Sequence, residues 1–256
     1  MILNLPAMKN TWSENFRERL IFALDGTGDL AGTISWVERL KDHVGMFKVG
    51  KEVFTRCGPE IVSRIRGFGG KVFLDLKFHD IPQTVARAAD AAVELGVAMF
   101  NMHALGGKRM LREAVLSAGE RAEELQIPKP VILAVTVLTS LNDYDLREMG
   151  FSSSVEDVVL SLARLAQNEG VAGVVASPRD IAAIRKVCGQ DFIIATPGIR
   201  GKDVAGDDQK RTLTAAEAIK FGADYLVVGR PIRLAADPVA EADRIVKEMS
   251  GLLAER

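Results

Sequence analysis

A chain of 256 residues, 48% hydrophobic and 26% charged, is long enough to bury a large core and has an ordinary composition for a soluble globular protein of enzyme size. Its formal net charge of −1 excludes a broad basic footprint for nucleic acid or an acidic membrane surface, so any anion recognition has to be local. No apolar run approaches the roughly 18 to 20 residues of a membrane span, the first residues lack a secretory pattern, and Cys57 and Cys188 have no metal-ligand spacing, so the expected setting is cytoplasmic with reduced thiols.

Residues 1 to about 18 are expected to precede the first strand as an extension. Short apolar, β-branched-rich runs then recur at 20–25, 46–50, 71–77, 98–104, 130–138, 172–177, 191–196 and 223–229. Between them lie segments with helical spacing, such as Ile34, Val37, Leu40 and Val44 after the first run, or Val85, Ala88, Ala89, Ala92 and Val93 after the third. Strand followed by helix, eight times over, predicts a parallel sheet with crossover helices. The strand runs are continuously apolar, as expected when both faces are covered. Eight such units match the (β/α)8 TIM barrel better than a doubly wound sheet, and no linker or low-complexity tract divides the chain, so a single domain is expected over 1–256.

In a barrel the active site is built at the strand C-terminal ends and the loops that follow. The first run ends in Asp25, the second carries Lys48, and the third carries Asp75 and Lys77, with Asp80, Ile81 and Thr84 opening the next helix. Alternation along a strand puts Asp75 and Lys77 on one face and Leu74, Leu76 and Phe78 on the other, with Phe73 deeper on the charged side. Charges of alternating sign are the arrangement that survives burial. Each residue taken alone also has a plain structural reading. Asp75 and Lys77 suit an ion pair, Asp80 with Gln83 a D-x-x-Q capping box, Asp25 before Gly26 a turn, and Lys48 a lysine reaching out to solvent. Their joint placement at successive strand ends favours a charge relay aimed at a ligand.

The seventh run is followed by TPGIRGKDVAGDDQKRT (196–212), a long polar loop able to act as a lid, and the eighth ends in VVGRPI (227–232). Phosphate sites in such barrels use the loops after strands seven and eight, which makes Gly229 and Arg230 candidate phosphate ligands, with Arg200 and Gln209 reaching from the lid. Gly69-Gly70-Lys71 precedes a strand instead of opening a helix and is discarded as a phosphate loop. His43, His79 and His103 lack metal spacing, and His79 reads as packing or polar support beside the charged motif.

The motifs ALD (23–25), FKVG (47–50), DLKFHDIPQT (75–84), NMHALGG (101–107), VTVLTS (135–140), TPGIR (196–200), Gln209 and VVGRPI (227–232), in this order, resemble the orotidine 5′-phosphate decarboxylase family over nearly the whole chain. The resemblance implies a homodimeric barrel that converts orotidine 5′-monophosphate to UMP and carbon dioxide without cofactor or metal. It further implies that Asp25 and Lys48 bind the ribose hydroxyls, Asp75 faces the scissile carboxylate, and Lys77 donates the proton. Asp80, Ile81 and Thr84 would enter the neighbouring subunit's site, where Asp80 would complete a catalytic Lys48–Asp75–Lys77–Asp80 relay across the interface. Thr139 would contact the pyrimidine amide, Gln209 would bridge base and phosphate, and Arg200, Gly229 and Arg230 would hold the phosphate. The D-x-K-x-x-D strand also resembles 3-keto-L-gulonate 6-phosphate decarboxylase and hexulose phosphate synthase, which look magnesium-dependent. Asp25 and the Ile81-Pro82 and Thr84 that follow the second aspartate favour the nucleotide substrate.

Overall fold

Each apolar run of the sequence becomes one strand. β1 (Leu20–Ala23), β2 (Met46–Gly50), β3 (Val72–Phe78), β4 (Met99–His103), β5 (Val131–Val135), β6 (Gly173–Val175), β7 (Ile193–Pro197) and β8 (Tyr225–Val228) are parallel, pair in chain order, and close into a barrel through β8 and β1. The computed structural model describes residues 15–199 and 213–251, so Arg200, Gln209, most of the lid segment and most of the expected N-terminal extension lie outside the described residues.

Alternation along the strands divides the core in two. Inside the barrel, Ile21, Met46, Phe73, Met99, Leu133 and Ala195 pack against one another. The intervening residues face the surrounding helices, where Phe22 meets Phe47 edge-on at 6.5 Å and Trp36 at 5.7 Å. Each such buried side chain contributes about 1.5–3 kcal/mol by leaving water. Gly173 on β6 is required by close approach, since a Cβ there would lie 2.1 Å from the carbonyl oxygen of Ile193 on β7.

Several helices begin at a capping side chain. Asp29 Oδ1 accepts from Gly32 N–H ahead of helix Leu30–Leu40, Ser154 caps Val155–Asn168, and Thr214 with Glu217 forms a capping box on Ala215–Phe221. The capping box expected from Asp80 and Gln83 does not form. Proline at the first helical position of Pro82–Glu94 pushes Ile81 into an extended conformation and makes it the N-cap, and the Asp80 carboxylate accepts from the Ile81 N–H at 2.6 Å instead. The run 130–138 is also shorter as a strand than expected, because β6 offers ladder partners only as far as Val175, opposite Val135. No helix of the described residues is long and apolar enough to cross a membrane.

Candidate active site

The interior apolar residues of β2, β3 and β4 are Met46, Phe73 and Met99, and two positions further along each strand stand Lys48, Asp75 and Asn101. Strand alternation therefore places three polar side chains as a layer directly above the barrel core. Lys48 and Asp75 are 7% and 8% exposed and Asn101 is fully buried, so each needs a partner to offset lost hydration.

The partners form a continuous chain. Asp25, just beyond β1, accepts from Lys48 Nζ through Oδ2 at 2.6 Å, and the same ammonium lies 3.2 Å from Asp75 Oδ2. Asp75 Oδ1 accepts from Lys77 Nζ at 2.5 Å and from Asn101 Nδ2 at 2.6 Å. Burial alone disfavours the Asp75 carboxylate, but the Lys48 and Lys77 ammonium groups and the hydrogen bonds from Lys77 and Asn101 outweigh it, holding the group below the usual carboxylate range.

Lys77 reaches Asp75 from an unusual backbone. The β3–β4 register shifts between Leu74 and Phe78, and Lys77 has φ 53°, in the left-handed region that costs a non-glycine residue about 1–2 kcal/mol. Its N–H donates to Asn101 Oδ1 at 2.8 Å. Leu76 and Phe78 still pack outward, as alternation predicts. Gly50 leaves room for the pair next door, since a Cβ at that position would sit 2.3 Å from Asp25 Oδ1 and 2.8 Å from Lys48 Nζ.

Asp25, Lys48, Asp75, Lys77 and Thr139 line one cavity of about 510 Å³ at the strand C-terminal ends, floored by Phe73 and walled by Val135, Val175 and Val227. A second cavity of about 390 Å³ shares Asp25, Lys48, Pro197 and Val227 with it and carries Gly229 and Arg230, which open the short helix Arg230–Arg233. The two are one cleft with a charged end and an arginine end. A planar, partly apolar group and an anion tied to it by a polyhydroxyl spacer match that division.

Asp80, Ile81 and Thr84 do not line this cleft within the single chain. All three are exposed at the start of Pro82–Glu94, with Ile81 66% exposed. His79 lies against His103 with ring centroids 5.2 Å apart, near the site but outside the charge chain. Burial first, then His79, Lys51 and Lys77, lower the His103 pKa from 6.5 to about 4. Gly69 and Gly70 turn the chain into the start of β3, at the barrel end opposite the cleft. Sequence reasoning gave no role to Asn101, Gly50 or Glu52, which also lines both cavities. The parity of Asn101 with Met99, in register beside the charged pair of β3, is the signal that could have found it.

A family model described as orotidine 5′-phosphate decarboxylase / HUMPS family matches residues 18–245. An orotidine 5′-phosphate decarboxylase of Syntrophus aciditrophicus is 61% identical over 240 residues, covering 93% of this chain and 96% of that protein. One from Syntrophotalea carbinolica is 52% identical, over 93% and 98% of the two chains. The crystal structure of orotidine 5′-phosphate decarboxylase from Lactobacillus acidophilus superposes with a TM-score of 0.79 at 36% identity, over 90% of this chain and 98% of that one. With matches this long in both sequence and fold, the chain belongs to the orotidine 5′-phosphate decarboxylase / HUMPS family.

Proposed function

We propose that the protein decarboxylates orotidine 5′-monophosphate to UMP and carbon dioxide, with Lys77 as the proton donor. The observation that carries this reading is the Asp25–Lys48–Asp75–Lys77 chain of alternating charges, set at one end of a cleft whose other end holds Arg230.

Breaking the C6–carboxylate bond leaves its electron pair in the plane of the pyrimidine ring, where little delocalisation helps. The site must therefore favour negative charge at C6 through fixed charges of its own. The Lys77 ammonium stabilises that pair as it develops and then delivers a proton to C6, forming the C6–H bond of UMP; the amine regains a proton from solvent. Asp75 holds the ammonium in place and stands beside the departing carboxylate, a like-charge contact relieved as carbon dioxide leaves. That repulsion has the lesser role. Lys48 keeps Asp75 ionised, and Asp25 with Lys48 binds the ribose hydroxyls. Thr139 lines the base end, Gly229 and Arg230 take the phosphate together with Arg200 from the segment after β7, and Gln209 bridges base and phosphate. Phosphate binding far from C6 supplies positioning and closure energy.

The reading includes a homodimer in which Asp80, Ile81 and Thr84 complete the partner's site. Their exposure just after β3, at the barrel end that carries the cleft, supports it.

Carbon dioxide release from orotidine 5′-monophosphate in excess chelator tests the assignment. Undiminished turnover is expected. Release that collapses with chelator, or activity only on a sugar phosphate, would move the protein to the magnesium-dependent branch of its family.

A further inference from the structure

The buried amide of Asn101, the first residue of the NMHALGG motif, touches both halves of the Asp75–Lys77 pair. Its Oδ1 accepts the Lys77 backbone N–H at 2.8 Å and its Nδ2 donates to Asp75 Oδ1 at 2.6 Å. Only one orientation of the amide serves both partners. Turned over, it would set an oxygen against the carboxylate and an NH2 against the N–H.

Two features show that the ordering is needed. Lys77 sits in the left-handed region, in a strand whose ladder to β4 skips from Leu74 to Phe78, so the regular ladder does not hold its N–H. Asp75 has two carboxylate oxygens and three donors around it: Oδ2 faces Lys48, while Oδ1 is shared by Lys77 and Asn101. Asn101 itself is fully buried on a strand interior to the barrel, where a polar side chain without partners would be strongly disfavoured.

We propose that Asn101 is a positioning residue: it locks the left-handed backbone of Lys77 and the rotation of the Asp75 carboxylate, thereby aiming the Lys77 ammonium at the reacting carbon. This inference rests on the assignment of Lys77 as proton donor. Asn101 lines neither cavity of the cleft; it acts through its two neighbours. Removing it lets the lysine backbone relax toward the extended strand region and frees Asp75 to rotate, so the ammonium drifts while the ribose and phosphate contacts at Asp25, Lys48 and Arg230 stay in place. A displacement of about 1 Å at the reacting group lowers rate by up to about 100-fold.

The test is a comparison of Asn101→Ala, Asn101→Asp and Lys77→Ala in the full-length protein, with kcat and KM for orotidine 5′-monophosphate measured separately. Asn101→Ala is expected to lower kcat about 10- to 100-fold with KM within about 3-fold of the parent. Asn101→Asp keeps the volume and the acceptor for the Lys77 N–H, and serves if the alanine variant does not fold. The groups facing the new carboxyl are Asp75 and Lys77 on β3, Lys48 on β2 and His103 on β4. When protonated it donates to Asp75 as the amide did; when ionised it repels Asp75. Its kcat relative to the parent is therefore expected to fall as pH rises. A kcat for Asn101→Ala within 2-fold of the parent, or an Asn101→Asp to parent ratio flat with pH, overturns the inference while leaving Lys77 as donor, provided Lys77→Ala is inactive. Activity retained by Lys77→Ala overturns the underlying assignment instead.

Discussion

Gly50 shows how one missing methyl group conditions the site. A Cβ there would fall inside contact distance of both Asp25 Oδ1 and Lys48 Nζ, so Gly50→Ala is predicted to push that pair apart and lower kcat/KM about 10- to 100-fold, read in a steady-state assay, with little change in unfolding free energy. His103 carries a different consequence. Its folded pKa of about 4 lies below the ordinary 6.5, so over that interval the unfolded chain binds a proton that the folded one refuses. Stability is therefore predicted to fall as pH drops from 6.5 toward about 4, and His103→Gln to flatten that part of the curve in urea unfolding. Asp75, held ionised by Lys48 and Lys77 against its burial, adds a further loss at lower pH in both proteins. An unchanged slope in His103→Gln would assign the acid loss to other groups. At this scale the sequence was legible where polar residues broke an apolar strand, as at Asp25, Lys48, Asp75 and Lys77. The left-handed backbone of Lys77 was not, because alternation arguments assume a regular strand, and Asn101 was hidden by carrying no charge.

The same contrast holds for the elements. Strand number, order and the outward packing of Leu74, Leu76 and Phe78 follow from periodicity alone, since each run had to bury two faces. Ends were less legible: β5 stops where its neighbour runs out of partners, and the Pro82–Glu94 helix starts by proline geometry instead of an Asp80 cap. At the opposite end of the barrel from the site, Arg185 is a clamp between elements. From helix Ile181–Cys188 it donates to the carbonyls of Gly189, Gln190 and Phe192 leading into β7, to Gly222, and to the buried Asp224 carboxylate ahead of β8, which also accepts from Ile194 N–H at 2.7 Å. Arg185→Met leaves that carboxylate buried without its main partner and is predicted to destabilise the fold by about 3–5 kcal/mol in urea unfolding. A loss under about 1 kcal/mol would mean that Arg19, which donates to the Asp224 carbonyl, holds this end unaided.

For the whole molecule, barrel closure is what turns separate strand ends into a site: Asp25, Lys48, Asp75 and Asn101 come from or just beyond four consecutive strands, and Arg230 follows β8, which closes back onto β1. The proposed homodimer, in which Asp80 enters the partner's site, predicts complementation. Mixing Asp80→Ala with Lys77→Ala protein should, after random subunit exchange, restore roughly a quarter of parent activity through hybrid dimers with one intact site. No recovery despite demonstrated exchange would place Asp80 in its own subunit's chemistry or in none. The proposed chemistry turns on the Lys77 ammonium acting at the carbon that loses its carboxyl group. Its most direct test is the kcat of Lys77→Ala on orotidine 5′-monophosphate, with folding and UMP affinity measured alongside. A folded protein that still binds UMP and whose kcat has fallen by about 10^4-fold or more is expected; a folded variant with kcat within 10-fold of the parent would rule out Lys77 as the proton donor.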